Sequence, residues 1–196
     1  VSALDDAAAL VARLPAGRRI LVGVAGAPGA GKSTFAAALA LRVGGAVLPM
    51  DGFHLPQARL VELGRRERMG APDTFDVDGF VAMLAALRTG RRVEAPGFDR
   101  KIEEPVPGAI AIEPGHRILI VEGNYLLYWD AVPPLLDATI FLRLDDATRR
   151  ERLVARHIAS GKTPDAARAW ALGPDEANAV LIAPGAARAD LALELD

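Results

Sequence analysis

The sequence predicts an α/β protein: a parallel sheet of about five strands covered by helices on both faces. Three observations carry this. Short apolar runs rich in β-branched residues alternate with amphipathic stretches at helical spacing, a glycine-rich turn joins the first run to the first helix, and no repeat, low-complexity tract or long linker interrupts the alternation. At 196 residues the chain is expected to form one domain, 1–196, able to bury its own core.

In chain order, 20–25 (ILVGVA) reads as a buried strand and 32–43 as a helix in which Phe35, Leu39 and Val43 recur every four residues. Gly44 and Gly45 close that helix, and 46–49 (AVLP) is a second short strand that delivers Met50, Asp51 and Gly52 to the rim of the sheet. Asp76 or Asp78 caps a helix that turns Val77, Phe80, Leu84 and Leu87 inward and ends at Gly90. Across 91–117, Pro96, Pro105, Pro107 and Pro114 punctuate short β-like pieces, the pattern of a hairpin-like insertion beside the main sheet and a candidate substrate wall. Residues 118–121 (ILIV) and 138–144 (ATIFLRL) read as buried strands, and 189–195 alternates as a final one. The stretches 145–160 and 164–183 read as mostly helical, with Pro164 after Thr163 at a helix start; 145–173 is expected to form a lid.

Composition removes several classes of function. With 23 basic against 25 acidic residues and a formal charge of -2, no molecule-wide field draws the chain to nucleic acid or an anionic membrane. There is no cysteine, and the three histidines stand far apart, so disulfides, thiolate chemistry and the usual zinc clusters are not expected. The opening VSALDDAAAL has two acids and no base ahead of its apolar run, which is read as neither signal nor transit peptide; a cytoplasmic protein is expected. Only Lys32, Lys101 and Lys162 are lysines among the basic residues, so each lysine attracts notice.

One of them completes a motif. Gly26-Ala27-Pro28-Gly29-Ala30-Gly31-Lys32-Ser33 satisfies G-x-x-x-x-G-K-[ST] between a predicted strand and a predicted helix, a match expected by chance in roughly one in a thousand chains of this composition. The chemistry explains the residue types. Glycines let backbone N–H groups converge on a phosphate, the helix N-terminus adds its positive end, Lys32 reaches the β and γ oxygens, Ser33 is a ligand for Mg²⁺, and Thr34 is placed for the α-phosphate. The motif predicts nucleoside triphosphate binding, and other residues must choose among switches, motors, kinases and passive binders.

A guanine-reading N-K-x-D element is missing, since Lys101 stands in RKIEE and Lys162 in GKTPD, and no LSGGQ-like signature of a transporter ATPase is present. The parts of a phosphotransferase are present. Asp51, after the second strand, is the candidate base for an acceptor hydroxyl; its alternative is a turn aspartate before Gly52. Glu122 follows ILIV where an acid near Mg²⁺ would stand, or it is a plain strand-end acid. Arg149, Arg152 and Arg156 share one helix face and could close over phosphates, with Arg152 and Arg156 the stronger candidates; a solvated arginine face is the alternative.

Together, GAPGAGKST, MDGFHL (50–55), GAPDTFD (70–76), PGFDR (96–100), VEGNYLL (121–127) and RLVARHIASGKTP (152–164) resemble, in order and over nearly the whole chain, the uridine kinase, pantothenate kinase and phosphoribulokinase superfamily. The likeness is greatest to bacterial nucleoside, nucleotide or fructose-transport-system kinase-like proteins. The resemblance implies a three-layer P-loop fold, ATP and Mg²⁺, Asp51 as base, Glu122 near the metal, and Arg152 and Arg156 in a lid. It further implies an acceptor pocket lined by His54, Asp76, Phe98, Asp99, Arg100 and Asn124, with the 183–188 loop, Arg188 included, beside adenine. His54 and Phe98 as packed aromatics and Asp76 as a helix cap remain the plain alternatives. At 96–104 the sequence reads PGFDRKIEE in place of the tyrosine and histidine contacts of uridine kinases, which speaks against uridine.

The expectation is therefore an ATP-dependent kinase acting on a hydroxyl of a sugar, nucleoside or related metabolite, with a homodimer admitted and neither nucleic acid nor membrane as partner. A non-catalytic ATP-binding regulator and a pantothenate-type kinase are the other readings. A nucleic-acid-dependent NTPase is disfavoured because no basic stripe accompanies the two tryptophans and two tyrosines.

Overall fold

The computed structural model describes residues 2–195. Helix α1 (Ala3–Ala12) opens the chain under a reciprocal cap between Ser2 and Asp5. Strand β1 (Ile20–Gly26) leads through the glycine-rich loop into α2 (Lys32–Val43), and β2 (Ala46–Pro49) follows. A 3-10 turn, Met50–Phe53, and the short α3 (Gln57–Glu62) precede two further turns and α4 (Val77–Arg88). The antiparallel pair β3 (Val93–Asp99) and β4 (Glu104–Ile112) stands apart from the main sheet. Then come β5 (Ile118–Glu122), β6 (Ala138–Arg143), α5 (Asp146–Ala159), α6 (Pro164–Leu172), α7 (Pro174–Ile182) and β7 (Leu191–Glu194).

The main sheet has five parallel strands in the order β2-β5-β1-β6-β7. β1 is buried along its whole length because both its faces are covered, and its side chains alternate between two cores. Ile20, Val22 and Val24 pack with Phe35, Ala36 and Leu39 of α2 and Val11 of α1. Leu21 and Ala25 face the other layer, where Phe80 and Leu84 of α4 meet Phe53, Phe75, Tyr125 and Trp129. This second core carries most of the aromatic surface, with Phe53 and Phe80 edge to face at 5.0 Å and Tyr125 and Trp129 tilted at 5.3 Å.

The predicted elements are present with small shifts. The final strand is shorter than 189–195, because Ala189 ends a 3-10 turn and Asp190 is used to accept from the Thr139 amide at 2.7 Å. The helical stretch 164–183 is broken at Gly173, whose backbone (φ -103, ψ -95) is not helical and which is followed by Pro174. Asp76, rather than Asp78, caps α4, accepting from the Gly79 amide at 2.9 Å. The 91–117 stretch is the predicted hairpin, with a register shift between Ala95 and Gly97 beside Pro96. Among the described residues, no helix is long and apolar enough to cross a membrane.

Candidate active site

Parallel strands place their C-terminal ends at one rim, and the register decides what meets there. Val24 of β1 stands beside Glu122 of β5, and Pro49 of β2 stands on Glu122's other side. The loop after β1, the Met50–Asp51 step after β2 and the Glu122 carboxylate therefore converge. Gly123 donates its amide to the Val24 carbonyl at 3.1 Å and holds the two strand ends level.

The loop itself is shaped by close approach. At Gly29 φ is +83°, and a Cβ there would lie 2.7 Å from the Arg149 carbonyl oxygen, so the backbone sits directly on α5. Lys32 opens α2 and is buried, its Nζ donating to the Ala27 carbonyl at 2.9 Å. Burial pushes its ammonium down to about 8, against the pull of Glu122 and Asp51. Ser33 and Thr34 are exposed on the first turn of α2. Ser33 Oγ donates to Glu122 Oε1 at 3.0 Å, and burial, reinforced by the Asp51 charge, raises the Glu122 carboxyl above its ordinary value.

Asp51, which lines the same cavity as Lys32, accepts from Arg100 at Oδ2 at 2.6 Å. The Asp51 carbonyl also accepts from His54 Nδ1 at 2.8 Å, which fixes the proton on that nitrogen and leaves Nε2 as an acceptor. Burial lowers the His54 pKa and favours this neutral ring, which lies against Phe75 at 4.0 Å and Phe98 at 4.7 Å. Gly52 allows the approach of the hairpin: a Cβ there would fall 2.1 Å from the Pro96 carbonyl oxygen.

The sequence-predicted residues divide into groups. Pro28, Lys32, Ser33, Asp51, Glu122 and Arg156 line one cavity, and His54, Phe98, Arg100 and Asn124 line its other side. Gly26, Ala27, Gly29, Ala30 and Gly31 form the loop beside it, and Ala27 lines a second cavity with Ala183 and Ala186. Asp76 is exposed at its cap, Asp99 accepts from the Lys101 amide at 2.8 Å in the hairpin turn, and Arg188 pairs with Asp130 at 3.1 Å; none of these three lines either cavity.

The three arginines expected on one face of α5, Arg149, Arg152 and Arg156, are placed differently. Arg149 is only 2% exposed, bonded to Glu176 at 2.6 Å and to the Pro28 carbonyl at 3.4 Å, so it ties the phosphate loop to α7. Arg152 Nη1 comes near Gly31, within 3.8 Å of where a Cβ would stand. Arg156 reaches the cavity.

Sequence reasoning did not single out Arg66, Glu103, His157, Trp170, Asp175 or Asn178, which also line the cavity. His157 Nε2 lies 2.7 Å from Asp175 Oδ2, and Asn178 donates to the Gly70 carbonyl at 3.2 Å together with the Tyr125 hydroxyl at 2.5 Å. Lys162 lies 4.8 Å above the Trp170 ring and 3.9 Å from Glu103, bridging the α5–α6 segment and the hairpin. Its rarity was the one signal available for this group.

The model of the Phosphoribulokinase / Uridine kinase family matches residues 21–195. The chain belongs to this family. A candidate uridine kinase of Schizosaccharomyces pombe is 39% identical over 161 residues, covering 74% of this chain and 68% of that protein. The uncharacterised Escherichia coli K12 protein YggC is 33% identical over 189 residues, covering 91% and 78%. The crystal structure of a candidate fructose transport system kinase from Silicibacter sp. TM1040 superposes with a TM-score of 0.89 at 40% identity, covering 98% of this chain and all of that one. Membership of the Phosphoribulokinase / Uridine kinase family implies ATP as the nucleotide and a small molecule as the substrate.

Proposed function

We propose that this protein transfers the γ-phosphoryl group of MgATP to a hydroxyl of a small metabolite. The observation that carries the reading is the convergence of Lys32, the Ser33–Glu122 pair and Asp51 on one cavity. In the step, the acceptor oxygen bonds to the γ-phosphorus, the bond from phosphorus to the β–γ bridging oxygen breaks, and the hydroxyl proton passes to Asp51.

The residues fit Mg²⁺ held mainly by phosphates. Among the described residues no group of three or more histidine or acidic side chains is shaped to hold a metal alone, while Ser33 Oγ and the Glu122 carboxylate offer two adjacent oxygens at the loop. Mg²⁺ bound there would neutralise charge on the β and γ oxygens. Lys32 leaves the Ala27 carbonyl for phosphate oxygens, Arg156 and Arg152 face the transferring group from α5, and the lid excludes water. The second cavity has an apolar part, Ala27, Phe141, Leu144, Val180 and Ala183 among it, beside charged residues that include Asp145, Arg149 and Glu176, and its apolar part is the seat for adenine.

Glucose, fructose, ribose, nucleosides, pantothenate and glycerate, each with MgATP in an ADP-release assay, test the reading. ADP formation that depends on one acceptor and yields its phosphoester is expected. Tight ATP binding with no acceptor-dependent ADP would instead favour a nucleotide-binding regulator.

A further inference from the structure

The acceptor side of the cavity is walled by cations from three separate segments. Arg66 comes from the turn Arg66–Arg68, Arg100 from the turn between β3 and β4, and Lys162 from the loop joining α5 to α6. Glu103 is the carboxylate set against two of them, accepting from Arg66 at 2.5 Å and lying 3.9 Å from Lys162. Asp175 on the same side is engaged by His157, and Asp51 by Arg100. Three cations thus face Glu103 and the base itself.

The Arg100–Asp51 contact bears directly on the reaction. Arg100 occupies an oxygen, Oδ2, of the carboxylate that the proposed reaction uses as base. The Arg100 side chain is 53% exposed, so its pair with Asp51 is weak and readily exchanged. An anion on the acceptor would draw the guanidinium to itself, in the two-pronged geometry arginine makes with carboxylate or phosphate, and release Oδ2 for the hydroxyl. A neutral acceptor has no group to make that exchange.

We propose that the acceptor is an anionic hydroxy compound, a small hydroxy acid or a sugar phosphate, whose carboxylate or phosphate docks on Arg66, Arg100 and Lys162 while its hydroxyl meets Asp51. His54 Nε2 accepts a hydrogen bond from a second hydroxyl of the same molecule, since Nδ1 holds the ring's proton. The inference rests on the kinase reading above and narrows its substrate class.

The test is ADP release with MgATP over matched sets that differ only in the anion: glycerol, glycerate and glycerol 3-phosphate; ribose, ribonate and ribose 5-phosphate; pantothenol and pantothenate. At least one anionic member should exceed its neutral partner about 100-fold in kcat/KM, as loss of charge-assisted bonds predicts. The carboxylate and phosphate arms tell which anion the wall takes. Arg100→Gln and Lys162→Gln should each raise KM for that member by about 10-fold or more and shrink the gap to its neutral partner, with thermal melting unchanged. Neutral members turned over as well as anionic ones, or an anionic substrate indifferent to both substitutions, would overturn the inference and leave the kinase reading standing. No turnover of any member, neutral or anionic, would overturn both.

Discussion

At the nucleotide end of the cavity, eight consecutive residues, Gly26–Ser33, supply backbone, ammonium and hydroxyl, and the sheet beneath them is buried on both faces. At the acceptor end the wall is assembled from Asp51, His54, Arg66, Phe98, Arg100 and Lys162, distant in sequence and joined by a His54–Phe98 ring contact and by ion pairs at partly exposed side chains. The first is a local structure that a strand and a helix generate almost by themselves. The second exists only where the hairpin, the α5–α6 segment and the 50–75 segment meet, and its pairs are exposed enough to exchange with a ligand. A site built in these two ways keeps its nucleotide chemistry fixed while its acceptor chemistry depends on a few side chains.

The difference can be broken most severely at the nucleotide end. Lys32→Ala removes the one ammonium at the loop, and turnover is expected to fall by about three orders of magnitude with ATP affinity lost alongside it. Isothermal titration and steady-state assays check both; ATP binding that survives unchanged would show that the loop backbone alone suffices. Asp51→Asn separates the ends instead. ATP affinity should stay within about twofold while kcat drops by about 10²- to 10⁴-fold, the range for loss of a general base. Near-normal turnover in that variant would remove Asp51 from the base role.

Gly52→Ala tests the joint between the two regions. The added Cβ must displace the Pro96 carbonyl, which costs about 1–3 kcal/mol and shifts the hairpin that carries Phe98 and Arg100. Thermal melting should fall and acceptor KM should rise, with ATP binding retained. The smallest effect is a pH dependence confined to the nucleotide end. Because Lys32 titrates near about 8 when free and must be charged to hold phosphate, ATP binding takes up a proton above that pH. Its affinity should fall about tenfold per unit beyond about pH 8 and be flat below, and titrations in buffers of different ionisation enthalpy read the proton directly.

Most of the sheet was legible in the sequence because its signals are local. The run ILVGVA is apolar on both faces and became β1, and the ILIV and ATIFLRL runs became β5 and β6 for the same reason. Helix α1 went unread, although Ser2 and Asp5 spell its cap, since an alanine-rich opening has little periodicity. The break at Gly173 also escaped, although the Gly173-Pro174 pair is a local signal for it. In the candidate site, Lys32 was singled out by its motif and Asp51 and Glu122 by their strand-end positions, and all three line one cavity. Arg66 and Glu103 were not singled out, since neither stands in a motif and their meeting spans 37 residues. Arg149 shows the converse: its spacing matched a phosphate-facing lid residue, but burial against Pro28 and Glu176 makes it a brace.

The amino-acid order alone therefore determined the strand-loop-helix unit and the chemistry of its phosphate loop, because period, glycine placement and the lysine act over a few neighbouring residues. Tertiary structure decided which carboxylate meets which cation around the acceptor. Arg100 on Asp51, Arg66 and Lys162 beside Glu103, and His54 between Phe75 and Phe98 depend on distances that only the packing of the hairpin and the α5–α6 segment at the sheet rim creates.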